Sequence, residues 1–227
     1  MKTIVLAITG ASGSIYAIRL LEVLLIAGYD IHLTLSANSA AVFEQELGLK
    51  IDIDNFDLSQ ILPDNPDELK DSKLMSLRSD SRSTYAMSSV FSDSDISRGH
   101  FTYHHHLDFN SGIASGSFLT DGMVVCPCSS GTMASISHGL SSNLIHRAAD
   151  VHLKERRKLI LMPRETPVST LQLENMARLS SAGAVILPAA PGFYHSPLTI
   201  HDLIDFVVGR ICDQLQINHD LSQRWGG

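Results

Sequence analysis

The segment 3–13 reads TIVLAITGASG, an apolar run that ends in a turn containing two glycines. An unbroken apolar run of this length predicts a strand buried on both faces, and the residues that follow have the apolar spacing of a helix. Gly10 and Gly13 let the backbone turn tightly, and Ser12 adds a hydroxyl. Because the first free N–H groups of a helix carry partial positive charge, this turn predicts a phosphate site.

The spacing of the glycines distinguishes between classes of nucleotide. Gly10 and Gly13 stand three apart and position 15 is Ile15, so the turn lacks the G-x-G-x-x-G pattern of dinucleotide-binding folds. It suits a mononucleotide such as FMN better than NAD. The alternative for so short a motif is a tight turn with no ligand.

Composition restricts the class of protein. The chain has 227 residues, 44% of them hydrophobic, and no linker rich in Pro, Gly or Ser divides it, so we expect a single domain over residues 1–227. The formal net charge of -7 argues against a non-specific nucleic-acid binder. A targeting signal, a membrane helix and a disulfide framework are all missing from the pattern, which predicts a cytoplasmic protein.

Apolar runs alternate with segments of helical period along most of the chain. This alternation predicts an α/β fold, a three-layer α/β/α sandwich around a parallel sheet, with ligands beyond the carboxyl ends of the strands. The candidate strands are residues 3–8, 31–35, 122–126, 158–162 and 184–187. Residues 169–182 and 200–217 have the pattern of amphipathic helices.

The region of about 64–106 is rich in Ser and Asp and has no sustained period, so it is predicted to be an inserted loop or an arm ordered by a neighbouring subunit. It ends in three consecutive histidines, residues 104–106. Neighbouring residues on a regular element cannot all face one ion, so no metal site is predicted there.

Two stretches of small and hydroxyl-bearing residues flank the predicted strand 122–126. Residues 113–117 form a small-residue loop able to pass against a flat ring, and residues 129–132 begin a helix with several hydroxyls. Ligand binding explains several hydroxyls better than a plain helix cap, which remains the alternative. Cys126 and Cys128 are predicted to be packed as small apolar side chains, on the same side of an extended chain.

A cluster of charged residues follows. Arg147 and Lys154 are seven apart, which places both on one helix face, suited to an anionic group or to a solvated surface. Arg164 and Glu165 lie at a strand end between two prolines, a rigid position for aiming side chains into a cleft. Glu165 is a candidate proton carrier, and a structural ion pair with Arg164 is the alternative.

Together these motifs resemble the flavin prenyltransferase family of the UbiX and Pad type. The resemblance rests on residues 9–13, 16, 114–117, 126–132, 147–157, 163–167, 183–188, 191–195 and 197. It implies a flavodoxin-like fold, a homo-oligomer of dodecamer type and transfer of a dimethylallyl group from dimethylallyl phosphate to N5 and C6 of reduced FMN, without a metal. The implied product, prenylated FMN, serves a partner decarboxylase of the UbiD type, in ubiquinone biosynthesis or in the breakdown of aromatic acids.

The resemblance also implies roles for individual residues. The FMN site would be lined by Gly10, Ala11, Ser12, Ser36, Ala114, Ser115, Ser129, Ser130, Gly131, Thr132 and Arg164. The dimethylallyl phosphate site would comprise Arg147, Lys154, Tyr194 and Arg210. Glu165 with Ser12 would move the proton, and Glu46 would lie close by, with Glu44 as the alternative for that position. Trp225 would close over the prenyl group, or else anchor the terminus in a groove.

Two other functions stay open at this point. A flavin-dependent cysteine-type decarboxylase on the same fold would carry a His near the first helix and an Asn-containing motif after a later strand, where this chain has Arg164 and Glu165. A non-catalytic flavin-storage assembly would explain the FMN residues. It would leave Lys154, Glu165 and Arg210 together without a purpose.

Overall fold

Six parallel strands form one sheet in the computed structural model, which describes residues 2–62 and 99–222. The strands are β1 (Thr3–Ile8), β2 (Asp30–Leu35), β3 (His100–His105), β4 (Gly122–Cys128), β5 (Leu159–Pro163) and β6 (Val185–Ile186). The helices in these residues are α1 (Ser14–Ile26), α2 (Ser39–Leu47), α3 (Ser130–Ser137), α4 (Leu144–Lys154), α5 (Thr170–Ser181) and α6 (Ile200–Leu215). Not one of them is long and apolar enough to cross a membrane.

The strand order is β3-β2-β1-β4-β5-β6. The chain runs outward from β1 to β3, returns to the middle, and runs outward again from β4 to β6, so the order reverses between β1 and β4. Without the edge strand β3 the sequence of strands is the 2-1-3-4-5 order of flavodoxin. The predicted flavodoxin-like α/β fold with a parallel sheet is therefore confirmed.

Each face of the sheet has its own core. Along β1, Ile4, Leu6 and Ile8 pack on one face, under α1, α2 and α6. Val5 and Ala7 pack on the opposite face, under α3, α4 and α5. This is why the central strands are apolar without interruption, as a sheet covered on both faces requires.

The strand β3 corrects the predicted insert of about 64–106. Residues 100–105, placed in the insert, pair in register with β2, from Asp30 opposite His100 to Leu35 opposite His105. Their sequence, HFTYHH, is not an apolar run because an edge strand is only partly buried. Residues 63–98, the remainder of the predicted insert apart from position 99, lie outside the described residues.

The two histidines that end β3, His104 and His105, are bonded within the protein. His104 Nε2 lies 2.7 Å from His32 Nδ1, and His104 Nδ1 lies 2.9 Å from Ser111 Oγ, so both of its ring nitrogens have protein partners. His105 Nε2 lies 3.2 Å from Asp54. Across residues 2–62 and 99–222, no group of three or more His, Cys, Asp or Glu side chains is arranged to hold a metal ion.

Cys126 and Cys128 are both buried, as predicted, but they face opposite sides of the sheet. Cys126 packs with the core under α1, and Cys128 packs with the core under α4. The pairing of β4 with β5 shifts register between Val125 and Cys128, which breaks the alternation that predicted a common side. Burial raises the pKa of the Cys128 thiol to about 12, so it is not a reactive thiolate at neutral pH.

Candidate functional site

The carboxyl ends of β1 and β4 are bonded to each other where the strand order reverses. Thr9 N and Thr9 Oγ1 both donate to Pro127 O, at 3.2 and 2.8 Å. Ser129 N donates in turn to Thr9 Oγ1, at 2.7 Å. The glycine turn after β1 and the hydroxyl-rich start of α3 are thus held side by side, at the position where open α/β sheets bind their ligands.

Glu46, from α2, occupies the start of α1. Its carboxylate accepts from Gly13 N at 3.0 Å and from Ser14 N at 2.9 Å. Gly13 has a φ of 113°, in the left-handed region that favours glycine. Burial raises the pKa of Glu46, but hydrogen bonds from Ser12, Gly13 and Ser14 outweigh burial and hold it below its usual value. Gly13 N and Ser14 N are therefore bonded to Glu46 in this structure, and the phosphate site at this turn stays a prediction.

The end of β2 contributes an unpaired hydroxyl beside this turn. Ser36 N donates to Ile8 O at 2.9 Å, which fixes the residue next to the end of β1. Ser36 Oγ is buried and has no hydrogen-bond partner among the described residues. A Cβ added at Gly10 would lie 2.6 Å from Asn38 Cβ, so this approach requires glycine. A buried hydroxyl without a partner fits a site whose acceptor is a ligand.

The start of α3 combines a helix cap with an open surface. Ser129 Oγ accepts from Thr132 N at 3.3 Å and donates to Thr132 Oγ1 at 3.0 Å, so Ser129 caps the helix, and its role in FMN binding stays a prediction. A Cβ added at Gly131 would meet nothing within 4 Å. The first turn of α3 therefore faces space that a ligand phosphate would fit.

Glu165 is held by neutral groups. Ser130 Oγ donates to Glu165 Oε2 at 2.9 Å, and Gln172 Nε2 lies 2.8 Å from Ser130 Oγ and 3.4 Å from Glu165 Oε2. Among the described residues, no ion pair joins Glu165 to Arg164, which is itself exposed. The alternative of a structural ion pair for Glu165 is thus absent, and its carboxylate remains available to exchange a proton.

The loop before β4 lies against α4. We call residues 112–118 the strap. Arg147 Nε donates to Ala114 O at 2.9 Å, and the Arg157 guanidinium donates to Phe118 O at 2.7 Å and to Gly116 O at 2.5 Å. These bonds from α4 and the residues after it fix the position of the strap. Arg157, which makes two of them, is not among the predicted site residues.

Lys154 and Arg147 both project from α4, as their spacing predicts. Lys154 Nζ pairs with Glu155, and a Cβ added at Gly116 would lie 2.8 Å from that Nζ. Arg147 also pairs with Asp150 at 2.9 Å. Both cations are part-exposed, so their charges remain accessible to an anion from outside the chain.

Tyr194 and Arg210 both lie near Phe206 of α6, on the other face of the sheet. The Tyr194 ring contacts Phe206 edge to face, with centroids 5.6 Å apart, and Arg210 lies one turn further along α6. Arg210 pairs with Asp213 at 2.7 Å and lines a groove of about 250 Å³ beside β6. A phenol and a guanidinium therefore lie near one groove.

A single chain brings the predicted residues together in three groups. The first lies at the carboxyl edge of the sheet and contains Gly10, Ala11, Ser12, Ser36, Glu46, Ser129, Ser130, Gly131, Thr132, Arg164 and Glu165. The second, on α4 and the strap, contains Ala114, Ser115, Arg147 and Lys154. The third is Tyr194 with Arg210. Trp225 lies outside the described residues.

These groups do not meet within one chain. Lys154 ends α4 before β5 begins, and Glu165 follows the end of β5, so the strand separates them by roughly 16 Å at 3.3 Å per residue. Arg147 and Arg210 lie on helices that cover opposite faces of the sheet. The predicted phosphate-binding set is thus divided between surfaces of the chain.

Comparison with known proteins finds extensive similarity in sequence. A protein-family model described as Flavoprotein matches residues 1–212. The flavin prenyltransferase UbiX of Halalkalibacterium halodurans is 42% identical over 219 residues, which cover 96% of this chain and 91% of that protein. The similarity therefore extends over nearly the whole of both sequences.

Solved structures agree with the sequence comparison. A crystal structure of AnUbiX (PadA1) in complex with FMN and dimethylallyl pyrophosphate matches with a TM-score of 0.75 and 34% identity, covering 100% of this chain and 98% of that one. A dodecameric FMN-dependent UbiX-like decarboxylase from Escherichia coli O157:H7 matches with a TM-score of 0.75 and 34% identity, covering 99% of this chain and 100% of that one.

Proposed function

This chain belongs to the Flavoprotein family and, within it, to the flavin prenyltransferases of the UbiX type, and from that membership we propose that it transfers a dimethylallyl group from dimethylallyl phosphate to N5 and C6 of reduced FMN. The observation that carries the proposal is the group at the carboxyl edge. It combines an unpaired buried hydroxyl, an open helix start and a carboxylate held by neutral donors.

The residues present fit FMN. We propose that the Ser36 hydroxyl and the first turn of α3 hold its phosphate, since that hydroxyl has no protein partner and the turn is open at Gly131, both at the reversal of strand order. Arg164, exposed at the end of β5, supplies a cation beside the flavin. When bound and reduced, the flavin supplies the nucleophilic nitrogen and carbon that receive the prenyl group.

The chain's own residues bind phosphate, orient the prenyl group and move a proton. Arg147, Lys154, Tyr194 and Arg210 would bind the donor phosphate through N–H and O–H groups, so the proposal assigns no role to a metal. Glu165 would exchange the proton that the phosphate gains and the ring carbon loses, together with Ser12. Trp225 would face the positive charge that develops on the allyl group.

We further propose that the site is completed between subunits of a homo-oligomer, a dodecamer as in the relative from Escherichia coli. The separation of Lys154 from Glu165 by the length of β5, and of Arg147 from Arg210 by the sheet, supports this. The product, prenylated FMN, would pass to a UbiD-type decarboxylase.

The two alternatives are not favoured. A cysteine-type decarboxylase on this fold would not account for extensive identity to flavin prenyltransferases. A storage assembly would have no use for a carboxylate fixed beside the flavin site by Ser130 and Gln172.

The direct test is to incubate the protein with FMN, a reductant and dimethylallyl phosphate and to measure the absorbance and mass of the released flavin. We expect a flavin heavier by one five-carbon prenyl unit, formed only when reductant and donor are both present. A parallel incubation contains a cysteinyl substrate in place of the donor. Unmodified FMN in the first incubation and release of carbon dioxide in the second would instead identify a decarboxylase. Unmodified FMN held without turnover would identify a storage protein.

Lys154→Ala is expected to weaken dimethylallyl phosphate binding by about 2 kcal/mol, because a charged contact to phosphate is lost. This corresponds to a roughly 30-fold higher half-saturation concentration, with little change in kcat. Lys158→Ala is the control, since Lys158 is an exposed lysine nearby that is not among the residues proposed to bind the donor phosphate. A lower kcat at an unchanged half-saturation concentration would contradict the assignment.

Mixed oligomers test whether the site spans two subunits. Assayed at a donor concentration below the wild-type half-saturation value, chains carrying Glu165→Gln and chains carrying Lys154→Ala are each defective. A junction between them that combines the unchanged Glu165 and the unchanged Lys154 is complete. Random mixing should restore about a quarter of the sites. Activity that stays at the level of the separate variants would place the whole site within one chain.

A further inference from the structure

Gln172 connects three elements around the carboxylate of Glu165. It lies in the first turn of α5, where its side chain and Ser169 form a reciprocal helix cap. Ser169 N donates to Gln172 Oε1 at 2.7 Å. Gln172 Nε2 reaches Ser130 Oγ, at the start of α3, at 2.8 Å, and Ser130 Oγ reaches Glu165 Oε2 at 2.9 Å.

The direction of every bond in this chain is determined by its ends. A backbone N–H only donates, so Ser169 fixes the oxygen of the Gln172 amide and turns the NH₂ group toward Ser130. The Ser130 hydroxyl has one hydrogen. Because it accepts from Gln172, that hydrogen is directed at the Glu165 carboxylate, which can only accept when ionised.

We propose that Gln172 is a positioning residue for the proposed proton transfer, holding the Ser130 hydroxyl in the orientation that donates to Glu165. Gln172 acts mainly through Ser130, at 2.8 Å, and its Nε2 also donates directly to Glu165 Oε2 at the longer distance of 3.4 Å. Glu165 and Thr166 are exposed, so the packing of a core does not fix this carboxylate. The hydrogen-bond chain from α5 supplies that constraint and leaves the carboxylate in one geometry for reaction. This inference rests on the proposed function of the carboxyl edge.

The chain offers a matched control on the same helix. Asn175 lies one turn after Gln172, and its Oδ1 accepts from Ser137 Oγ at 2.7 Å. Both residues are amides of α5 that bond a serine of α3. Of these two amides, only Gln172 is connected to Glu165. A variant at Asn175 therefore reports the contact between α5 and α3, and a variant at Gln172 also reports the orientation of the Glu165 carboxylate.

Gln172→Glu is the discriminating variant. It keeps the shape of the side chain and the oxygen that accepts from Ser169, so the helix cap is retained. It cannot donate to Ser130, and an ionised carboxylate there accepts the Ser130 hydrogen in competition with Glu165. At saturating FMN we expect kcat to fall roughly ten-fold, with the half-saturation concentration for dimethylallyl phosphate unchanged.

The pH profile gives a second readout. The acid limb of kcat is expected to move to higher pH in Gln172→Glu, because the carboxylate at position 165 would lose a donor and gain a like charge nearby. Asn175→Ala should lower the melting temperature without moving this limb or kcat. If Gln172 had only a structural role, the acid limb of kcat in Gln172→Glu would stay at its wild-type pH.

Three results would overturn the inference, provided that wild-type protein makes prenylated flavin normally. The first is a Gln172→Glu variant whose kcat and pH profile equal those of wild type. The second is an equal loss of kcat in Asn175→Ala, and the third is a loss of FMN affinity in Gln172→Glu that accounts for its whole loss of kcat. The wild-type reaction separates this inference from the proposed function. If wild-type protein makes no prenylated flavin, the proposed function fails, and the inference fails with it.

Discussion

Glu165→Gln is expected to lower turnover by ~10²-fold or more, the usual scale for a general acid–base group, while FMN binding persists. The glutamine has the same shape as glutamate and offers an oxygen that can accept from Ser130, now at 2.9 Å from the carboxylate. It carries no exchangeable acid. Single-turnover formation of prenylated flavin, measured at saturating donor and FMN, reports this loss directly.

The control is Glu174→Gln, which makes the same chemical change on the exposed surface of α5. We expect it to turn over as wild type does. If Glu165→Gln instead strips the flavin and lowers thermal stability, while the fraction that keeps flavin turns over normally, then Glu165 is a structural residue and the proton carrier lies elsewhere.

Burial decides which strands the sequence reveals. The strands β1, β4 and β5 have an apolar core on both faces, so each is an apolar run. In β2 the apolar residues alternate with His32 and Thr34. The predicted bounds of these four strands differ from the observed ones by at most two residues. β3 has partly buried residues at the edge of the sheet and mixes His, Thr and aromatic side chains. Its composition resembles that of the polar region before it, so the sequence pattern does not separate the strand from the predicted insert.

The site divides in the same way between local and long-range features. The turn after β1 and the start of α3 are local motifs, and carboxyl ends of neighbouring parallel strands must meet, so their convergence follows from the pattern. The contact of Glu46 with Gly13 joins positions 33 residues apart, and no local pattern indicates it. Only the resemblance placed Glu46 near the site.

Gln172 shows how a local motif can conceal a distant role. With Ser169 it forms the S-x-x-Q spacing of a capping box, which signals the start of a helix and is observed as such. Its bond to Ser130 spans 42 residues. The cap is a local feature of the helix start, and the structure alone shows what the cap residue also holds.

Lowering the pH from 7 to 5 is expected to reduce the free energy of unfolding by about 2 kcal/mol through His152 alone. His152 is 1% exposed within α4, where its Nδ1 donates to Ala148 O at 2.7 Å and its Nε2 accepts from Thr120 Oγ1 at 2.8 Å. Burial is the main reason that the pKa of His152 is lowered to about 4. The hydrogen bond to Ala148 raises this pKa, and the positive charge of Arg157 lowers it further.

The sign follows from proton binding. An unfolded chain protonates this histidine near its ordinary pKa of 6.5, while the folded chain does so only near 4, so between these values the unfolded state binds more protons. The contribution is complete above about pH 6.5 and is lost as the pH falls toward 4. Burial also lowers the pKa values of His104, His106 and His146, so the whole protein loses more than His152 contributes.

Substitution isolates the share of His152. In His152→Asn, a short amide keeps a donor near Ala148 but does not titrate. Between pH 7 and pH 5, the free energy of unfolding of this variant, measured in urea at fixed protein concentration, should fall by about 2 kcal/mol less than that of wild type. Thr120→Val is the matched control, because it removes the bond to Nε2 and leaves the histidine in place. It should be less stable at both pH values and keep the wild-type dependence on pH. If His152→Asn and wild type lose equal free energy over this interval, His152 is not the group whose protonation weakens α4, the helix that presents Arg147 and Lys154.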